Sequence, residues 1–195
     1  MKWYIISIIT LVAIITAYIL LKLFARTNVY YNIETEPTAP IPKSAADRGE
    51  ACDDGTSNLG NPNLPLGFRN NNPLNLVKSA NAWKGKIKDN PGRFEQFCSM
   101  EYGTRAAMIN LRTYMNRYSR NTIRKIISRW APASENDTEA YIRFVSQQTG
   151  YQPDTELSFQ KEIVFNLIDA MSQQENGAGM LIGDLVKEQA WEMIT

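Results

Sequence analysis

The stretch Ile163-Val164-Phe165-Asn166-Leu167-Ile168-Asp169-Ala170-Met171-Ser172-Gln173-Gln174-Glu175-Asn176-Gly177 reads as one helix with a carboxylate near its end. Ile163, Leu167, Ile168 and Met171 recur at i, i+4, i+5 and i+8, which makes a single apolar stripe. Ser158 can cap the start, Glu162 suits the first turn, and Gly177 is a natural stop. Glu175 then falls close to the last helical position. There the negative end of the helix dipole disfavours ionisation, so the pKa of Glu175 should rise. A proton donor working near neutral pH needs such a carboxyl. The plainer alternative is an exposed glutamate at a fraying helix end.

Working outward, the flanking sequence supplies partners for that stripe. Gly103 to Tyr118 is predicted helical, with Ala107, Leu111, Tyr114, Met115 and Tyr118 on its buried side. Thr122 starts a second helix with Ile123, Ile126, Ile127 and Trp130 inward, and Pro132 stops it. Ser134 can cap a third, with Asp137 as its N3 partner, Tyr141, Phe144 and Val145 inside, and Gly150 at the end. Gly179 to Ile194 reads as a last amphipathic helix using Leu181, Leu185 and Trp191.

The segment before Gly103 has a different texture. Asn70, Asn71, Asn72 and Asn75 surround Pro73 in a loop rich in amides. Such a loop is either a turn satisfied by its own Asx bonds or a wall that binds sugar, since amides both donate to and accept from hydroxyl and N-acetyl groups. Trp83-Lys84-Gly85 and Phe94-Glu95-Gln96-Phe97 suggest a short hairpin. Trp83 suits stacking on a sugar ring or a core or hinge position. The expected fold class is mainly α with a small β element.

At 195 residues the chain holds one compact domain plus appendages. Trp3 to Leu21 carries no charge and is rich in Ile, Leu and Val, with Lys2 before it and Lys22 and Arg26 after it. That suffices for a membrane span, and no clear small-x-small cleavage site follows Leu21. Residues 1–26 are therefore read as a single-pass anchor, 27–66 as a Pro/Asn/Gly-rich tether, and 67–195 as the domain. The excess of Lys22 and Arg26 over Lys2 runs against the orientation a periplasmic enzyme needs, a rule that does not bind an anchor in a virion's internal membrane. A net charge of +1 argues against bulk nucleic-acid binding. The absence of histidine removes Ser-His-Asp and Cys-His catalysis and disfavours zinc, so neither metal nor cofactor is expected. The two cysteines, Cys52 and Cys98, make no disulfide framework, though they can pair outside the cytoplasm.

Several of these segments together carry a resemblance. Gly67-Phe68-Arg69-Asn70-Asn71-Asn72-Pro73-Leu74-Asn75-Leu76 is followed by Trp83-Lys84-Gly85, by Phe94-Glu95-Gln96-Phe97 and by a Gly103-Thr104-Arg105-Ala106 helix. Trp130-Ala131-Pro132-Ala133-Ser134-Glu135-Asn136-Asp137-Thr138-Glu139-Ala140-Tyr141 comes next. The series resembles a family of phage and prophage structural proteins described as lysozyme-like. The helix ending in Glu, a small polar residue and glycine resembles the catalytic helix of lytic transglycosylases and flagellar-type glucosaminidases. In those enzymes the helix precedes the Asn-rich segment. Here it comes after that segment, which implies a circularly permuted lysozyme-like domain.

By that resemblance Glu175 is the catalytic acid/base, Tyr141 orients substrate, and Glu135 and Asn136 bind it or assist. Asn70, Asn71, Asn72, Asn75, Trp83, Phe97 and Thr138 are the other expected substrate contacts. Glu135 also suits a helix start, Tyr141 a core aromatic, and Glu95 and Glu101 are further carboxylates. The function implied is a membrane-anchored, phage-type enzyme that cleaves the glycan strand of peptidoglycan during entry or lysis. Its partners are then peptidoglycan and a lipid membrane, either the virion's internal membrane or the bacterial inner membrane with the domain facing the periplasm. The alternatives are a non-catalytic virion protein gripping cell-wall glycan, and a muralytic endopeptidase.

Overall fold

The computed structural model describes residues 57–194. The anchor, residues 27–56 of the tether and Cys52, with its pairing to Cys98, lie outside the described residues. Within them are six α-helices: α1 Leu66–Arg69, α2 Met100–Arg112, α3 Ile123–Trp130, α4 Thr138–Thr149, α5 Lys161–Asn176 and α6 Asp184–Glu192. None is long and apolar enough to cross a membrane. The fold is mainly helical, as expected. The small β element is reduced to two isolated antiparallel bridges, Val77 with Phe94 and Lys86 with Phe97, with no strand among the described residues.

The α5 helix is the hub, packed against α1, α2 and α4. Val164, Leu167, Ile168, Ala170 and Met171 are buried along it, while Ile163 is only partly covered. Gln160, not Ser158, holds the N-cap position, and Gly177 ends the helix with φ at 107°. That φ suits glycine because it has no Cβ to clash. The loop after α5 folds back along it, fastened where Ser172 Oγ donates to Met180 O (2.7 Å) and Ile182 N to Asp169 (3.1 Å).

α2 packs on α6, and Arg112 donates to the carbonyl of Ile194 just beyond that helix (2.8 Å). After Arg112 the chain makes a π-helical turn, Thr113–Arg117. The wider turn rotates the residues at its end, so Met115 stays inside but Tyr118 is 53% exposed instead of completing the predicted stripe. α3 begins as read, with Thr122 Oγ1 accepting from Lys125 N (3.2 Å). α4 starts later than its capping signal suggests. Asp137 is the N-cap and accepts from Ala140 N (2.9 Å), whereas Ser134 lies in the turn before it. α6 is shorter than predicted, and it buries Lys187 and Ala190 while Leu185 is 61% exposed.

Candidate active site

Three segments meet at the C-terminal end of α5. Glu175 is the penultimate residue of the helix and half-buried. Its Oε1 accepts from the Tyr141 hydroxyl of α4 (3.1 Å), and its Oε2 from Asn75 Nδ2 of the Asn-rich loop (3.1 Å). The Trp130 side chain, at the end of α3, also hydrogen-bonds to it. Burial pushes the Glu175 pKa above its ordinary value of 4.5, outweighing the opposite pull of the bonds from Asn75, Tyr141 and Trp130. Burial likewise raises the Tyr141 pKa well above 10, and the neighbouring Glu175 carboxylate adds to it. Tyr141 therefore stays a neutral donor.

The next residue explains why the Asn-rich loop reaches Glu175. Asn176 Oδ1 accepts from Gly67 N (3.0 Å), and its Nδ2 donates to Pro73 O (2.7 Å) and Ser172 O (3.0 Å). One side chain thus clamps both ends of the loop to α5. Space at the clamp is tight: a Cβ on Gly67 would lie 2.3 Å from Asn176 Oδ1, and one on Gly103 only 1.8 Å from Asn71 O. Asn71 and Asn75 have φ of 51° and 48°, in the left-handed region that Asn tolerates better than most residues.

The four asparagines divide by what they touch. Asn71 Nδ2 donates to Phe97 O (3.0 Å), Cys98 O (3.1 Å) and Ser57 Oγ (2.9 Å). Asn72 Nδ2 donates to Leu76 O (3.0 Å) and Glu95 O (2.9 Å), while its Oδ1 accepts from Leu76 N (2.9 Å). Asn70 Oδ1 accepts from Gln96 Nε2 (2.9 Å). Asn71 and Asn72 are buried and bonded from within, which favours the structural-turn alternative over a sugar wall for them, while Asn70 is buried with its Oδ1 held by Gln96. Asn75 alone faces outward chemistry: it touches Glu175, and its Oδ1 is buried with no partner. Residues 58–64, assigned to the tether by composition, are tied to this loop. Asn58 N donates to Asn71 Oδ1 (3.3 Å), Gly60 N to Arg69 O (3.0 Å), and Leu64 is buried.

Beside Glu175 lies a cleft of about 290 Å³, whose lining includes Asn75, Trp83, Asn110, Tyr114, Arg129 and Trp130. Asn75 and Trp130, two of the groups that hold Glu175, form part of its wall, and Tyr114 braces Trp130 edge-on (ring centroids 6.2 Å apart, 75° between planes). Trp83 lines this cleft and also packs against the core.

Other expected contacts fall elsewhere. Phe97 is fully buried in the core. Thr138 is buried too, donating to Ala131 O (2.6 Å) below the start of α4. Asn136 is exposed in the turn before α4, with Nδ2 at 3.5 Å from Pro132 O. Glu135 is in the same turn, not at a helix start, and pairs with Arg93 at 2.7 Å, with the two side chains 56% and 64% exposed. Glu95 is wholly buried beneath Lys86 (2.9 Å). Sequence reasoning passed over Asn176 and the site role of Trp130. The signal for Asn176 was adjacency, an amide between the candidate acid and the helix-stopping glycine. Among the described residues no group of three or more His, Cys, Asp and Glu side chains could hold a metal ion.

No family model matches the chain. It is 40% identical over 126 residues to Protein P5 of Pseudoalteromonas phage PM2, an overlap of 63% of this chain and 78% of that protein. The chain belongs to the P5 family. Kinship with a phage protein bears out the phage side of the resemblance. The P5 family name itself carries no chemistry, so activity has to be argued from Glu175 and its surroundings.

Proposed function

We propose that this domain cleaves the glycan strand of peptidoglycan, with Glu175 as its acid/base, in a lysozyme-like arrangement whose catalytic helix comes late in the chain. The observation that carries the reading is Glu175 itself: a half-buried carboxyl with a raised pKa, held by Tyr141 and Asn75 and adjoining a cleft with two tryptophans in its wall. Tryptophan faces suit sugar rings, and amides suit their hydroxyl and N-acetyl groups.

Among the described residues the cleft lining itself holds no carboxylate, which leaves Glu175, bonded to Asn75 of its wall, as the acid at hand. That supports the transglycosylase route over a two-carboxylate hydrolysis. Glu175 gives its proton to the glycosidic oxygen as the bond to the anomeric carbon breaks. The resulting carboxylate then takes the proton of the same sugar's 6-hydroxyl, whose oxygen attacks the anomeric carbon. The products are a shortened strand and a 1,6-anhydro end, and Glu175 is protonated again. Tyr141 and Asn75 hold the carboxyl through both transfers. In the phage setting, anchor residues 1–26 would keep the domain at a virion or bacterial membrane while it opens the wall during entry or release.

Incubating purified sacculi with the full-length protein and weighing the soluble products tests this reading. Anhydro-muropeptides are expected. Reducing ends would point to hydrolysis, new free amines to an endopeptidase, and tight binding without release to a glycan-gripping structural protein.

A further inference from the structure

Charge is unevenly distributed along this chain. Between Glu101 and Glu135 there is no acidic residue, while seven arginines and lysines occur. Three of them are tied to segments distant in the chain. Arg105 and Arg112 donate to the carbonyls of Met193 (3.3 Å) and Ile194 (2.8 Å), and Arg124 pairs with Glu139 (2.8 Å) and Asp154 (3.0 Å). The other four, Arg117, Arg120, Lys125 and Arg129, pair with no carboxylate among the described residues.

Those four form a line that starts inside the cleft. Arg129 is part of its wall, next to Trp130. Lys125 lies one turn earlier on α3, on the same face, and is exposed. Its Nζ reaches back to Ser119 O (3.4 Å). Arg120 N donates to the carbonyl of Tyr114, itself a cleft residue (2.9 Å). Arg117 and Arg120 flank the exposed Tyr118 ring at 5.9 Å and 5.6 Å. The π-helical turn that exposes Tyr118 therefore also builds the outer end of the line.

We propose that this basic line is a subsite for the free carboxylates of the peptide stems on the glycan strand, so that the preferred substrate is stem-bearing, not naked, glycan. The inference rests on the glycan reading of the cleft. Each exposed pair between a cation and a stem carboxylate contributes little, but several acting on one strand give a preference of about tenfold. A lipid surface or a nucleic acid would also be drawn to exposed cations. Neither accounts for the line beginning at Arg129, in the wall of the cleft beside Trp130.

The test measures binding of the full-length protein to intact sacculi and to chitin, which has N-acetyl sugars but neither stems nor carboxylates, at low and high salt. Wild type should bind intact sacculi about tenfold more tightly, with the preference shrinking as salt screens it. In Arg120→Gln/Lys125→Gln/Arg129→Gln the preference should fall to about one. Lys125→Glu, confined to an exposed side chain, should lower it in the same direction even if the triple variant fails to fold. Equal binding of both polymers by wild type, or a preference untouched by the variants, overturns the subsite while leaving the cleft reading in place. Binding to neither polymer removes both. Loss of binding by the variants only to phosphatidylglycerol vesicles or to an oligonucleotide also overturns the proposal and assigns the line to that partner.

Discussion

Glu175 can be tested without disturbing its surroundings. In Glu175→Gln the new amide nitrogen faces Asn75 Nδ2, donor against donor. Rotating the Asn75 amide brings its unpartnered Oδ1 into that contact instead, so the variant should fold. Removing the proton should lower activity about 10²–10⁴-fold, the range for a general acid. Stability should move the other way. Burial raises the native pKa of Glu175 above its ordinary 4.5, so the native state holds more protons than the unfolded chain over a window that opens there. Stability then falls as pH rises through that window. Glu175→Gln escapes this loss. Its melting temperature should exceed that of wild type at pH 7 and converge with it below about pH 4.5. A variant that melts earlier at pH 7 would show that Glu175 is a structural ion, not a strained acid. Glu135→Gln gives the contrast: its pair with Arg93 is exposed, and glycan cleavage should stay within about twofold of wild type. Loss of cleavage confined to Glu135→Gln would overturn the assignment of the acid.

The Asn-rich loop predicts a split between neighbouring residues of one type. Asn72→Ala strips partners from Leu76 N, Leu76 O and Glu95 O, and should cost about 1–3 kcal/mol of stability. Asn75→Gly keeps the left-handed backbone and loses only the contact to Glu175, so it should reduce cleavage while barely moving the thermal midpoint. Equal effects of both variants on both readouts would mean that the loop acts as one unit. The sequence could not separate these residues, because composition says amide loop and only burial says which amides face inward. The helices were legible for the opposite reason. Apolar spacing along α5 and the Thr122 cap on α3 are local properties, and the structure keeps them. Where two local signals competed, the nearer cap won: Asp137 displaces Ser134, which leaves Glu135 in the turn before the helix. The π-helical turn has no local signature in the sequence, so spacing alone puts Tyr118 inside. The Glu175, Tyr141 and Asn75 cluster joins residues up to 100 positions apart, and only the resemblance suggested that they meet.

At the scale of the whole domain, the last helix is locked by a buried charge less than two turns back along α5 from Glu175. Lys187 of α6 is 5% exposed, with its Nζ 2.5 Å from Asp169 on α5 and 2.9 Å from Asp184. Asp169 also accepts from Ile182 N, so this carboxylate holds both the returning loop and the last helix. Lys187→Met preserves volume but leaves Asp169 buried without its counter-charge. Breaking such a pair from one side costs about 3–5 kcal/mol. For a domain of this size that lowers the thermal midpoint by roughly 6–20 °C. Removing both charges in Lys187→Met/Asp169→Leu should recover a large part of the loss, because no isolated ion remains. Recovery stays incomplete, since Ile182 N then lacks its acceptor. Cleavage by the surviving folded protein should match wild type in both variants, as neither residue touches Glu175 or the cleft. A double variant no more stable than Lys187→Met would show that the pair is held by contacts other than charge. A fall in cleavage without a fall in midpoint would mean that α6 shapes the site after all.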